Sequence, residues 1–214
     1  MEVTNRKMEY DIYRIANRSQ ISQCEQFVID QYLWDSLQTP KAYGRAGYIE
    51  GQGIYVEMTC EERDPKRLCS KDKELVYKDS ALEAFFAFPD GEMSAEKPCI
   101  YVNFEMNANG ALYAEKGYAR ENRTLLSDEY YQKADCQAKI EADQWSVSVL
   151  IPEALLEEIT SLERIKSGQT FYCNFYKISE DEKIQHFGCY SPIESKEPNF
   201  HLPVCFAKAV IVDV

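Results

Sequence analysis

Two histidines, at positions 186 and 201, set narrow limits on the chemistry open to this 214-residue chain. So few exclude a His-rich metal site at once. A Cys-His nucleophile would have to use one of them, and His186 lies three residues before Cys189. On a strand or loop that spacing does not turn an imidazole onto a thiolate, and no third group is placed to orient it. The eight cysteines, at 24, 60, 69, 99, 136, 173, 189 and 205, include no C-x-x-C and no zinc-finger spacing. They read as scattered reduced thiols that serve as small core hydrophobes. Thirty-six acidic residues always offer carboxylate pairs for glycoside hydrolysis, but nothing in their spacing singles out two. A glycine-rich phosphate loop, H-E-x-x-H and G-x-S-x-G are missing, so motifs mark no catalytic residue and no enzyme.

Binding chemistry has a clearer footprint. Tyr101, Asn103, Glu105 and Asn107 put four hydrogen-bonding side chains on one face of one strand. Tyr172, Asn174, Tyr176 and Lys177 interleave phenol, amide and ammonium in the same manner. Sugars are held by this mixture: an aromatic ring covers the C–H face while amides, acids and guanidinium groups reach adjacent hydroxyls. The plainer reading is that both rows are solvent faces of amphipathic strands.

Composition removes other partners. Twenty-four basic against 36 acidic residues leave a net charge of −12, which argues against nucleic acid or an anionic membrane surface. Fifteen tyrosines and ten phenylalanines stand beside two tryptophans, and tyrosine is suited to half-buried polar contacts. No stretch approaches the roughly 18 apolar residues of a membrane span. The N-terminus shows no apolar run with a cleavage site, so a cytoplasmic location is expected. The Asn122-Arg123-Thr124 sequon then reads as a chance match.

The elements that must position these groups follow period two. Ile54, Val56 and Met58 form one row, Leu82 to Phe88 a second, Ile100 to Met106 a third. Trp145 to Ile151 and Phe171 to Phe175 follow, and the run from Phe206 to Val212, apolar on both faces, is expected at the centre of a sheet. Asn109-Gly110 between two alternating runs predicts a hairpin. Pro152 followed by Glu-Ala-Leu-Leu-Glu-Glu-Ile predicts a short helix, and residues 19–33 are expected as a helix or an edge segment. Many strands with one or two short helices predict an all-β sandwich in one domain over residues 1–214, with 1–10 a flexible tail.

Six segments in series carry a resemblance. KDSALEAFFAFPDG (78–91), YVNFEMNANGALYAEKGYAR (101–120), DQWSVSVLIP (143–152), CNFYKIS (173–179), HFGCYSPI (186–193) and NFHLPVCFAKAVI (199–211) resemble the family 9 carbohydrate-binding modules, in particular a standalone bacterial branch. The match runs over about residues 45–212. It implies a DOMON-like β-sandwich, related to immunoglobulin-like and jelly-roll types, that binds a mono- or oligosaccharide without cleaving it. The ligand would be a glycan, its reducing end included, within polysaccharide catabolism. The resemblance places aromatic faces at Tyr77 and Tyr190, tyrosines where tryptophan is usual, and polar forks at Arg120, Asn174 and Lys177. His201 would be structural, and the family's closing F-G is here Phe206-Ala207.

The resemblance leaves other readings open. Related sandwiches hold haem b, and Met58 or Met106 with His186 or His201 would be its ligands, although both methionines lie in core-facing rows. Structural calcium occurs in some members, and Asp79 and Glu83 could supply oxygens, but no calcium-loop spacing is present; no cofactor is expected. A hydrolase or accessory domain of carbohydrate metabolism is a third reading, and a structural domain with a decayed site a fourth.

Overall fold

The computed structural model describes residues 8–160 and 165–213. Its strands are β1 (Glu9–Arg14), β2 (Gln26–Ile29), β3 (Gln31–Tyr32), β4 (Lys41–Ile49), β5 (Gly53–Glu61), β6 (Ala81–Phe88) and β7 (Ile100–Asn107). Then come β8 (Leu112–Gly117), β9 (Arg123–Leu125), β10 (Gln137–Ile140), β11 (Trp145–Pro152), β12 (Thr170–Ser179), β13 (His186–Cys189) and β14 (Ala207–Val212). Helices α1 (Asp128–Ala134) and α2 (Glu153–Thr160) are short. The strand order is β10-β11-β5-β4-β1-β14-β12-β6-β7-β8-β9, with β2 on β4 and β13 joining β12 to β3. This all-β sheet curls on itself into a sandwich. Strand β1 is the seam, parallel to both β14 and β4.

The alternating rows are the inner faces. Ile54, Val56 and Met58 of β5 and Trp145, Val147, Val149 and Ile151 of β11 pack against Leu82, Ala84 and Phe86 of β6, Val102, Phe104 and Met106 of β7, and Phe171 and Phe175 of β12. Each Val, Leu, Ile, Met or Phe side chain among them contributes about 1.5–3 kcal/mol on burial. Phe27 of β2 stacks flat on Phe175 at 3.6 Å. Close approach there requires glycine: a Cβ at Gly44 would lie 2.5 Å from the Phe27 ring and from the Glu57 carbonyl.

The leaf containing β12, β6 and β7 is covered on both faces. Its outer side carries Phe85, Tyr101, Tyr176 and Ile178, which pack under Phe187, Ile193, Phe200 and Phe206. The Tyr101–Asn107 row is therefore not a solvent face: Asn103, Glu105 and Asn107 are all buried. A second layer of chain, from residues 31–36 and 193–206, closes over that side and leaves a cavity between.

Several expectations are revised in detail. Of the two forms expected for residues 19–33, the edge segment is the one found: a 3₁₀ helix at Arg18–Gln23 leads into two short strands, β2 paired with β4 and β3 with β13. The final strand is central, between β1 and β14's other neighbour β12, yet only Ala207, Ala209 and Ile211 are buried while the alternate residues are half-exposed. Of the segment expected as a tail, residues 1–7 lie outside the described residues, whereas Tyr10 is buried in β1. The predicted helix forms as α2, held by Leu155 and Leu156 and by a hydrogen bond from Tyr48 Oη to Glu153 Oε1 at 3.0 Å. Asn109-Gly110 closes the β7–β8 hairpin, with Gly110 at φ +78°. None of the eight cysteines is in a disulfide. Among the described residues no helix is long and apolar enough to cross a membrane.

Candidate functional site

The outer face of this leaf carries a cavity of about 350 Å³. Glu83, Glu105 and Tyr113 of its lining lie in one register row: Tyr176 of β12 pairs with Glu83 of β6, Glu83 with Glu105 of β7, and Glu105 with Tyr113 of β8. Residues in register on neighbouring strands point to the same side, so period-two alternation places two carboxyl groups next to each other in the cavity lining. Glu83 is 2% exposed and Glu105 3%. Aromatic walls come from Trp34, Tyr77, Tyr113, Phe187 and Phe200, and polar groups from Arg120, Arg123, Asn199 and His201.

Each wall is fixed by identifiable contacts. Trp34 and Asp35 both adopt left-handed backbone, φ +51° and +53°, uncommon for residues with a side chain. The Trp34 indole donates to the Ser195 carbonyl at 2.9 Å and meets Phe187 and Phe200 at ring distances of 5.6 Å. Tyr77 meets Tyr113 edge to face at 6.3 Å. Arg120 is tied to the Pro198 carbonyl at 3.2 Å, joining the β8–β9 turn to the covering loop. His201 shares a 3.1 Å hydrogen bond with Tyr101 Oη, and burial together with Arg123 and Arg120 holds its imidazole neutral.

The register row is short of positive charge. Arg123 Nη1 lies 2.8 Å from Glu115, 3.1 Å from Asn103 Oδ1 and only 4.0 Å from Glu105. Asn103 donates to Glu105 Oε1 at 3.0 Å, while Glu105 Oε2 is buried and accepts no hydrogen bond from a described residue. Burial, only partly offset by Arg123, pushes the Glu105 carboxyl up to about 8. Burial and the neighbouring Glu105 hold Glu83 well above the usual carboxylate range.

Of the five residues that the resemblance placed in the site, the structure brings Tyr77 and Arg120 to the cavity and sets three apart. Tyr190 packs on the opposite side of the leaf, its ring 5.9–6.0 Å from Tyr10, Phe27 and Phe175, and its hydroxyl bonded to the Glu9 carbonyl; no ring face is free for a sugar. Asn174 is fully buried and clamps Ser191 at both backbone groups, 2.8 and 3.0 Å. Lys177 points inward, where Nζ donates to Ser80 Oγ and to His186 Nε2 at 2.8 Å and lies 3.6 Å from Glu62. His186 is therefore the Nδ1–H tautomer, donating to the Ile184 carbonyl at 2.6 Å.

Met58 and Met106 are buried between the leaves, while His186 and His201 are engaged as described. Asp79 spends both oxygens on the loop before β6, accepting from the Leu68 and Cys69 amides and from Asn107, each at 2.9 Å. Among the described residues no group of three or more His, Cys, Asp or Glu is arranged around a cation.

With this geometry established, comparison with known proteins decides the family. The model for carbohydrate-binding family 9 matches residues 16–211. The chain belongs to carbohydrate-binding family 9. Its fold is shared by a Bacteroides uniformis protein proposed to bind carbohydrate, with 22% identity over 96% of this chain and 100% of that one, TM-score 0.79. It is shared also by a family 9 module of Caldicellulosiruptor kristjanssonii in complex with cellotriose, at 11% identity, 96% and 94% coverage and TM-score 0.64. The same module in complex with glucose gives the same identity and score. No curated protein matches the sequence.

Sequence reasoning missed Trp34, Tyr113, Arg123 and Asn199 in this family 9 cavity. Trp34 stands in an irregular segment outside the six resembling stretches. Arg123 lies in the triplet that read as a chance sequon. Glu105 was visible in its alternating row; only its burial was not.

Proposed function

We propose that this family 9 protein binds a saccharide, without cleaving it, in the cavity over Glu83 and Glu105. The observation that carries the reading is the combination in one cavity of three polarisable ring faces, Trp34, Tyr77 and Tyr113, with two guanidinium groups, four carboxyl groups and an amide. Rings cover sugar C–H faces and the polar groups match adjacent hydroxyls. Arg120, exposed at the rim, is the hydroxyl fork, and Tyr77 is one stacking face. Asn174, Lys177 and Tyr190 act at a distance in this reading, by holding the leaf and its covering loop in shape. The ligands of the C. kristjanssonii module make gluco-configured sugars the first to test, and a role in polysaccharide catabolism follows from such a specificity.

A second reading, hydrolysis, is suggested by the paired carboxyls. Glycosidases set two carboxyl groups on either side of the scissile bond. Glu83 and Glu105 instead stand side by side in one register row on one side of the cavity, not on opposite walls. Isothermal titration with glucose, cellotriose and the alditol of cellotriose tests the proposal. Binding of cellotriose with weaker binding of its alditol supports reducing-end capture, and Tyr77→Ala should weaken it. Silence toward all saccharides refutes the proposal, and release of glucose from cellotriose establishes the hydrolytic reading.

A further inference from the structure

The two carboxyl groups of the register row raise a question that saccharide binding alone does not answer. Glu83 and Glu105 are cross-strand partners in the β6–β7 ladder, both almost completely buried. Directly opposed positions bring their Cβ atoms to about 4.5–5.5 Å. Two negative charges on such neighbouring side chains repel strongly when the surroundings are poorly hydrated. A structure tolerates this only if a cation sits between them or if one of them stays protonated.

Among the described residues the one cation beside the pair is shared and sits off to one side. From β9, Arg123 reaches Glu105 only at 4.0 Å and is engaged more closely by Glu115 of β8 and by Asn103 of β7. In the β8–β9 turn, Arg120 is exposed and directed to the Pro198 carbonyl, and its neighbour Glu121 adds another negative charge to the lining. On the β12 side, Tyr176 is neutral and Glu180 adds negative charge, while Lys177 projects through the inner face toward Glu62. His201 of the covering loop is neutral, and Tyr77 and Tyr113 carry no charge at neutral pH. The buried Glu105 Oε2, with no hydrogen bond from any described residue, is a polar atom waiting for a partner.

We propose that Glu83 and Glu105 hold at least one proton between them at neutral pH, and that this retained proton makes the cavity select uncharged, hydroxyl-rich ligands. The inference rests on the saccharide reading of the cavity. A singly protonated pair presents one O–H donor beside one carboxylate acceptor. A sugar hydroxyl is both donor and acceptor, so one such group satisfies both members. A uronate or phosphosugar brings a negative charge against the remaining carboxylate, Glu121 and Glu180. A bound sugar also displaces water from the pair, which disfavours its doubly ionised form still further. Binding therefore takes up a proton wherever the free pair has begun to lose its second one. The two steps belong to the pair and not to either residue.

The experiment is isothermal titration of the full chain with cellotriose from pH 6 to 9.5, in two buffers of different ionisation heat. The expected result is a constant affinity up to about pH 7, then a fall approaching tenfold per pH unit above the upper titration step, with proton uptake in the same range. Glucuronate should bind at least tenfold more weakly than glucose at pH 7. Glu105→Gln carries a permanent N–H donor, so whatever its affinity, its profile above pH 7 should be flat. A flat profile for the parent protein, or an unaltered slope in Glu105→Gln, overturns the inference. Carboxyl ¹³C titration of the ligand-free protein reads the pair directly: an upper step above pH 7 is expected, and two steps below pH 6 overturn it. If no saccharide binds at any pH, the proposed function and the ligand half of this inference both fall, and the ¹³C titration still decides the proton.

Discussion

Replacing Lys177 by methionine separates the binding role suggested by the family resemblance from the structural one suggested by its contacts. The Nζ atom is fully buried among Ser80, His186 and Glu62, with the Trp145 ring 5.8 Å away. Glu62 in turn accepts from Ser80 Oγ at 2.5 Å and Trp145 Nε1 at 3.0 Å. Burial pushes the Glu62 carboxyl up, but Lys177 and those two donors outweigh it, so the group sits below its usual range. Removing the ammonium leaves a largely buried carboxylate without its cation and His186 without its donor. Breaking a buried pair from one side costs about 3–5 kcal/mol. At roughly 2–4 °C per kcal/mol for a chain of this size, Tm should fall by about 6–20 °C. Lys177→Met combined with Glu62→Leu should recover much of that loss, because it removes the stranded charge as well. Cellotriose affinity, measured well below the lowered Tm, should stay within twofold of the parent. Denaturant unfolding and titration calorimetry supply both numbers. A stability change under about 1 kcal/mol, or loss of sugar binding in a fully folded Lys177→Met protein, would refute the reasoning.

Trp34→Ala should weaken saccharide binding by about tenfold or more, since an aromatic anchor in a binding site is worth about 2 kcal/mol, read by titration calorimetry. Tyr190→Ala should do the reverse: lower stability by about 3–5 kcal/mol through the cavity left among Tyr10, Phe27 and Phe175, with saccharide affinity in the folded fraction unchanged. Burial and Lys177 depress His186 to about 3, so the folded state binds its proton less tightly than the unfolded chain does. Its contribution is complete above the unfolded value near 6.5 and is lost at up to about 1.4 kcal/mol per pH unit as pH falls toward 3. Imidazole NMR shifts that move near pH 6.5 would contradict this.

Period two carried the fold a long way. The six alternating rows all became strands, and the inner faces are the rows read from the sequence. Strand β4 escaped because Gly44 and Gly47 interrupt its alternation, and those glycines are there because neighbouring side chains come too close for a Cβ. Short strands such as β3 and β9 have too few residues to show any period. The helix α1 escaped because its seven residues, Asp-Glu-Tyr-Tyr-Gln-Lys-Ala, bury only Tyr131 and Ala134. For the site, local pattern could not tell a solvent face from a face covered by distant chain. Glu83 and Glu105 lie 22 residues apart in sequence, and only the β6–β7 register joins them. Trp34 reaches the same cavity through a hydrogen bond to Ser195, 161 residues away. Tyr190 illustrates the converse: motif position placed a ring near the ligand, and packing turned it into the core.

The contrast between two carboxyl groups, Glu62 just beyond β5 between the leaves and Glu105 on the outer face of β7, also says which one serves stability and which one does not. Glu62, on the inner side, is met by an ammonium, an indole N–H and a hydroxyl, so its ionised form is stabilised. Glu105, on the outer side, receives one amide hydrogen bond and a distant, shared guanidinium, and its neighbour in the ladder is another acid. Its proton affinity is raised on folding, so it contributes stability below the unfolded carboxylate value near 4.5 and withdraws it as pH rises toward about 8. At neutral pH the outer pair is a net cost to the fold. Leu or Met at either position would fill the same volume without that cost. Polar groups that a fold carries at its own expense, in a cavity walled by rings, are accounted for by what they do for a ligand. Glu105→Leu should therefore stabilise the protein at pH 8 while abolishing saccharide binding, measured by denaturant unfolding and calorimetry on the same sample. A destabilised Glu105→Leu at that pH would mean that the pair is structural, and the cavity would lose its strongest claim to be the binding site.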